Sequence, residues 1–126
     1  LSLNALGKYI WLIGPTPLAP GDIPLRMALA ELNGIGLPDR VRYSDHKISA
    51  TPFYRTADSL RTIAGVTVTD PAAALCSDLF CRYEDGGFPL YRDGGHVDLR
   101  GAAVLEAYMR PVFYDLAVRA GLGEDG

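Results

Sequence analysis

The chain has 126 residues, 48% of them hydrophobic and 21% charged, with a net charge of −3. That suffices for one small globular domain, and an acidic balance with no Lys/Arg cluster excludes a nucleic-acid footprint. The longest apolar runs, such as residues 9–13, are far too short to span a membrane, and the first residues lack the basic start and long apolar core of a secretory signal.

Leu1 stands where an initiator Met would, and Leu3, Leu6 and a stop at Gly7 read as the last turns of a helix. Both features are those expected of a processed or truncated chain. Lys8-Tyr9-Ile10-Trp11-Leu12-Ile13-Gly14 then holds a continuous apolar run rich in β formers. A strand buried on both faces reads this way, as in a parallel sheet covered by helices. Ligands of open α/β sheets bind at the C-terminal edge of such strands.

Residues 15–24 form a loop, because the four prolines Pro15, Pro17, Pro20 and Pro24 break both a helix and a central strand. Leu25, Ala28, Leu29 and Leu32 share one face of a short helix over 25–32, ended by Gly34 and Gly36. Val41 to Tyr43 extends briefly. Asp45-His46 admits a catalytic or metal reading, but no further ligands cluster nearby in the sequence, so a polar surface loop is expected.

Residues 53–64 read as a helix with Tyr54, Ala57, Leu60, Ile63 and Ala64 on one face, closed by Gly65. Val66-Thr67-Val68-Thr69 is a β-branched strand, and Asp70-Pro71 opens a short turn over Ala72-Ala73-Ala74-Leu75. Residues 76–90 suggest a hairpin with arms 79–83 and 88–91, turning at Asp85-Gly86, with Pro89 confining the second arm to an edge. Cys76 and Cys81 are spaced C-x4-C. A local disulfide, which implies an oxidising compartment, is the preferred reading; two buried thiols compete with it. Half a zinc site ranks last, since the chain has no second Cys pair and only two His.

Tyr91-Arg92-Asp93-Gly94-Gly95-His96-Val97-Asp98 sets Asp93 and His96 three positions apart in a glycine-containing turn. Asp98 has the chemistry of an N-cap for the helix behind it. An imidazole takes a proton from a hydroxyl near neutral pH, and a carboxylate on its other nitrogen fixes the tautomer. Asp93 and His96 thus read as orienter and general base; a solvated turn is the alternative. Val104, Leu105, Tyr108, Met109, Val112, Phe113, Leu116 and Ala117 repeat at helical spacing as a core-facing stripe, and Pro111 is expected to kink or split that helix. Residues 121–126 read as a frayed tail.

Three blocks carry a family resemblance: Leu12-Ile13-Gly14-Pro15-Thr16-Pro17, the pair Cys76 and Cys81, and Pro89-Leu90-Tyr91-Arg92-Asp93-Gly94-Gly95-His96 with Gly101-Ala102. With them the chain resembles the SGNH hydrolase-like domain at the C-terminus of membrane O-acyltransferases that modify cell-surface polysaccharides. The resemblance runs from about Leu1 to Leu116 and is thin from 25 to 75. It implies an α/β fold, a flavodoxin-like three-layer α/β/α domain with a parallel sheet, of which residues 1–126 are the C-terminal part, without the N-terminal strands.

The family's nucleophilic Ser lies in a Gly-Asp-Ser block, and its further oxyanion donors are a Gly and an Asn. None is recognisable here: Ser2, Ser44, Ser49, Ser59 and Ser77 do not follow Gly-Asp at a strand end. The resemblance therefore implies Asp93 and His96 as two members of a Ser-His-Asp triad whose Ser is not in this chain. The implied activity is O-acylation, such as acetylation, of a surface polysaccharide on the periplasmic face of a bacterial inner membrane. The implied partners are an acyl donor, a glycan acceptor and a fused membrane acyltransferase domain; no cofactor, metal or nucleic acid is expected. A free-standing SGNH esterase and a non-catalytic remnant are the alternatives.

Overall fold

The computed structural model describes residues 5–122. Leu1 and Leu3 of the expected N-terminal helix, and residues 123–126 of the tail, lie outside these residues. The fold is mixed α/β. Strand β1 (Ile10–Ile13) pairs in parallel with β3 (Val66–Thr69), with Ile10 opposite Val66 and Ile13 opposite Thr69. Trp11 Nε1 donates to Thr69 Oγ1 across that pair at 2.9 Å. β1 is not buried on both faces: residues 10–12 are half-buried and Ile13 is 46% exposed. Among the described residues β1 has a strand neighbour on one side only, which leaves its other edge without a strand partner.

Helix α1 (Ile23–Asn33) starts two residues earlier than the pattern suggested, inside the proline-rich stretch. Asp22 caps it by accepting from the Leu25 amide at 3.1 Å, and Pro24 sits in the first turn, where no amide is needed. Gly34, at φ 64°, ends it. Its expected core face is turned outward: Leu25, Leu29 and Leu32 are exposed, and the fully buried Ile23 anchors the helix instead.

Strand β2 (Val41–Arg42) leads into α2 (Tyr43–Ser49) and α3 (Thr51–Leu60). The surface loop expected at Asp45-His46 is therefore helix, and His46 is buried. α3 starts two residues earlier than expected and stops at Leu60, so Ile63 and Ala64 belong to the turn before Gly65. α4 (Ala72–Leu75) follows β3, its first amide held by the Asp70 carboxylate at 3.1 Å.

The expected hairpin divides. β4 (Phe80–Cys81) pairs antiparallel with β2, not with the arm that follows it. The true hairpin is β5 (Glu84–Asp85) and β6 (Phe88–Pro89), turning on Gly86 and Gly87 at φ 58° and 84°. A two-residue hairpin turn of this kind needs positive φ at both central positions, so the pair of glycines wins over Asp85-Gly86.

The last helix, α5 (Leu99–Arg119), is continuous through Pro111. The ring removes only the amide that would bond Ala107, on an exposed stretch, so the helix is not split. Its stripe meets the core in the first turns alone: Gly101 and Leu105 are buried, whereas Tyr108 and Phe113 are exposed. The core gathers Ile23, Leu75, Tyr83, Leu90, Tyr91 and Leu105 from α1, α4, the hairpin region and α5.

Candidate active site

Backbone pairing closes the 91–98 segment into a tight loop. Tyr91 bridges Val97, the Arg92 amide donates to the His96 carbonyl at 2.9 Å, and the Asp98 amide donates to the Leu90 carbonyl at 2.9 Å. Asp98 then caps α5, accepting from the Gly101 amide at 2.9 Å. Gly101 is the close-approach point: a Cβ there would collide with the Leu90 carbonyl oxygen.

Within this loop Asp93 and His96 do come together. Asp93 Oδ1 accepts from the Gly95 and His96 amides, both at 2.7 Å. Its Oδ2 lies 2.9 Å and its Oδ1 3.1 Å from His96 Nδ1. The Gly95 amide, then the His96 ring and amide, hold the Asp93 carboxyl down at about 2. With Nδ1–H donating to this carboxylate, neutral His96 keeps its lone pair on Nε2. The dyad lies open at the surface, the His96 side chain 67% and the Asp93 side chain 43% exposed.

The loop after β1 supports the dyad from below. The Ala19 amide donates to the Gly94 carbonyl at 3.0 Å, and the buried Tyr91 hydroxyl donates to the Pro17 carbonyl at 2.7 Å. The dyad loop is thus tied to the loop that follows the C-terminal end of β1, and open α/β sheets place their ligands at that edge. Sequence reading gave Pro17, Leu18 and Tyr91 no part in holding the dyad. The adjacency of Tyr91 to the dyad was visible, but its partner lies 74 residues away.

Asp45 and His46 do not join the dyad. His46 is 6% exposed, packed near the rings of Tyr43 and Tyr54, and Tyr54 donates to Asp70 Oδ2 at 2.6 Å. Burial pushes the His46 imidazole down and, with Asp70, the Tyr54 phenol up. Among the described residues no group of three His, Cys, Asp or Glu side chains could hold a metal.

Cys76 and Cys81 form a disulfide, which removes both the free-thiol and the zinc readings. Three of the described serines serve local structure: Ser49 donates to the Asp45 carbonyl, Ser59 to the Arg55 carbonyl and Ser77 to the Phe80 carbonyl. None of them bonds His96.

No curated protein matches the chain. A solved structure, the periplasmic domain of a lipopolysaccharide acetyltransferase from Salmonella ser. Paratyphi A, matches with a TM-score of 0.61 at 19% identity. The match covers 83% of this chain and 41% of that one, so the chain spans about two-fifths of that structure's length. No helix among the described residues is long and apolar enough to cross a membrane. The family model described as "SGNH domain (fused to AT3 domains)" matches residues 1–111. The chain belongs to this family of SGNH domains.

Proposed function

We propose that this chain is the C-terminal part of an SGNH acyl-transfer domain, with His96 as general base and Asp93 as its orienter. The observation that carries this reading is the pairing of Asp93 with His96 Nδ1, which leaves Nε2 as the basic nitrogen on an exposed ring. A Ser supplied by the rest of the domain gives its proton to Nε2 as its oxygen attacks the acyl carbonyl. The leaving group takes that proton from the imidazolium. An acceptor hydroxyl then loses its proton to Nε2 and attacks the acyl-Ser ester, and the Ser oxygen leaves with the proton. Backbone amides beside the Ser bind the oxyanion in both halves.

The surface supports the partial-domain reading. A groove of about 490 Å3 with walls of Trp11, Leu105, Met109 and Phe113 lies on this chain, and among the described residues β1 has one edge without a strand partner. Apolar surface and a free strand edge together fit the docking of further parallel strands, which would complete a three-layer, flavodoxin-like sheet. The Salmonella relative is titled a lipopolysaccharide acetyltransferase periplasmic domain. By that likeness the reaction here is O-acetylation of a surface glycan, in a periplasmic domain fused to an AT3 membrane domain. The disulfide fits an oxidising compartment.

The test is acyl transfer by the full-length protein carrying His96→Ala. Loss of about three orders of magnitude or more is expected for a triad member; transfer at the wild-type rate would overturn the assignment.

A further inference from the structure

Two consecutive residues of α3 hold the C-terminal ends of both parallel strands. The Phe53 ring covers Gly14, the first residue after β1, where a Cβ would lie 2.5 Å from Phe53 Cζ. Tyr54 donates to Asp70, the first residue after β3, at 2.6 Å. The Gly14 amide donates to the Thr69 carbonyl at 2.9 Å and joins the two ends. α3 thus clamps the edge from which the loop of Pro17 and Ala19 departs, and that loop supports the dyad.

His46 of α2 is wedged behind this clamp. Its ring lies edge-on to Tyr54 at 6.2 Å and stacks towards Tyr43 at 6.4 Å. It is buried, and its Nε2 has no hydrogen-bond partner among the described residues. A proton added to Nε2 in place would be a buried cationic donor without an acceptor, which is far less favourable than a proton taken up in water.

The surrounding groups do not offset this. Asp70 is the charged group of another element that acts on the ring, and both its oxygens are engaged, Oδ1 by the Ala72 amide at 3.1 Å and Oδ2 by Tyr54. Burial first, and Asp70 after it, keeps the Tyr43 and Tyr54 phenols neutral, and α5 adds the Tyr108 phenol beside Tyr43. On α2 itself Asp45 and Lys47 are exposed, and Lys47 lies over the Tyr43 ring at 4.2 Å. The loop after β1 and Val41 face this side of α2 with no ionisable group. Burial wins, and the His46 imidazole titrates below its ordinary 6.5.

We propose that His46 makes the α2–α3 clamp an acid-sensitive latch on the dyad: protonation requires both helices to leave the strand ends, which frees Gly14 and Asp70 and slackens the loop that holds Asp93 and His96 in place. The latch is at full strength above pH 6.5, where the imidazole is neutral whether the latch is closed or open. Below 6.5 the open state binds a proton that the closed state refuses, so the latch weakens as pH falls, until the closed form is protonated too. From pH 8 to pH 5 the open population can rise at most about thirtyfold, the factor supplied by an imidazole that titrates normally only when open. The effect on transfer rests on the acyl-transfer reading above; the opening itself does not.

The experiment is amide hydrogen exchange with mass-spectrometric detection on the full-length protein between pH 5 and pH 8, corrected for intrinsic exchange rates. In wild type, protection of the α2–α3 amides and of the 15–19 segment is expected to fall together on acidification, several-fold and at most about thirtyfold. His46→Gln keeps a polar side chain that does not titrate, and His46→Phe keeps a ring among the tyrosines. Each should abolish that acid loss. Wild-type protection independent of pH, or the same acid loss in either folded variant, overturns the latch. So does acid loss confined to α2 and α3 that leaves Ala19 protected. Acyl transfer should fall more steeply on the acid side in wild type than in His46→Gln, because two imidazoles take up protons instead of one; equal steepness overturns the link to the dyad. Transfer that survives His96→Ala defeats the triad instead and leaves the exchange result standing, so the two failures are distinguishable.

Discussion

Tyr91 and Pro17 stand 74 residues apart in the chain and are joined by a single buried hydrogen bond of 2.7 Å, phenol to carbonyl. It fastens the dyad loop to the loop that leaves the parallel sheet. Burial raises the Tyr91 phenol to about 12, so it remains a donor across the physiological range. Tyr91→Phe leaves the Pro17 carbonyl buried and unpaired. It is expected to lower the unfolding free energy by about 1–2 kcal/mol in chemical denaturation. An unchanged midpoint and slope would show that the bond contributes nothing.

Asp93 should stay ionised far into acid. Its carboxyl is depressed from the ordinary 3.8 to about 2, first by the Gly95 amide and then by His96. A depressed carboxyl stabilises the fold at every pH above its unfolded value, and that contribution disappears as pH falls from about 3.8 through about 2. In a carbon-detected NMR titration the Asp93 carboxyl should have its midpoint near 2, with the Gly95 amide shift following it. A midpoint at the ordinary value would mean that the loop does not hold the carboxylate in solution.

Asp93→Asn preserves size but replaces an acceptor-only group with an amide. The amide can turn its NH2 toward Nδ1 and stabilise the tautomer with the proton on Nε2, which is the wrong one for a base. Acyl transfer by the full-length protein should fall by about 10⁴, the scale seen when a triad carboxylate is changed this way. A fall of only a few-fold would place Asp93 outside the mechanism.

Gly101→Ala sets two effects of opposite sign against each other. Alanine gains about 1 kcal/mol of helix propensity over glycine. Its Cβ would collide with the Leu90 carbonyl oxygen and lie 2.9 Å from Val97 Cβ. A backbone carbonyl inside a closed loop cannot swing aside, so the steric cost, up to about 3 kcal/mol, wins. Net destabilisation of about 2 kcal/mol is expected in thermal or denaturant unfolding; a stabilised variant would show that α5 can lift away from Leu90.

The Cys76–Cys81 disulfide closes a short loop beneath the β2–β4 pair, and Cys81 is buried. Loop-closure entropy for so short a ring gives about 2 kcal/mol. Cys76→Ser with Cys81→Ser should lose about that much, and neither thiol of the native, unreduced protein should react with a maleimide. Free labelling of both would contradict the bridge.

What was legible in the sequence was what is decided over a few residues. The β-branched run Val66–Thr69 became β3, Asp98 caps α5, Cys76 and Cys81 are near enough to bridge, and the Asp93–His96 pair lies in one turn whose own amides organise the carboxylate. Each follows from local backbone chemistry. Tertiary structure alone decided which faces are covered and which strands pair. β4 joins β2 rather than the arm after it, α1 turns its leucines outward, and His46 is buried beside Tyr54 of the following helix. It also decided that the dyad rests on Pro17 and Ala19, through bonds that no local spacing encodes. Burial and long-range pairing depend on what the rest of the chain places opposite a residue, whereas a cap, a tight turn or a short bridge carries its partner within its own few residues.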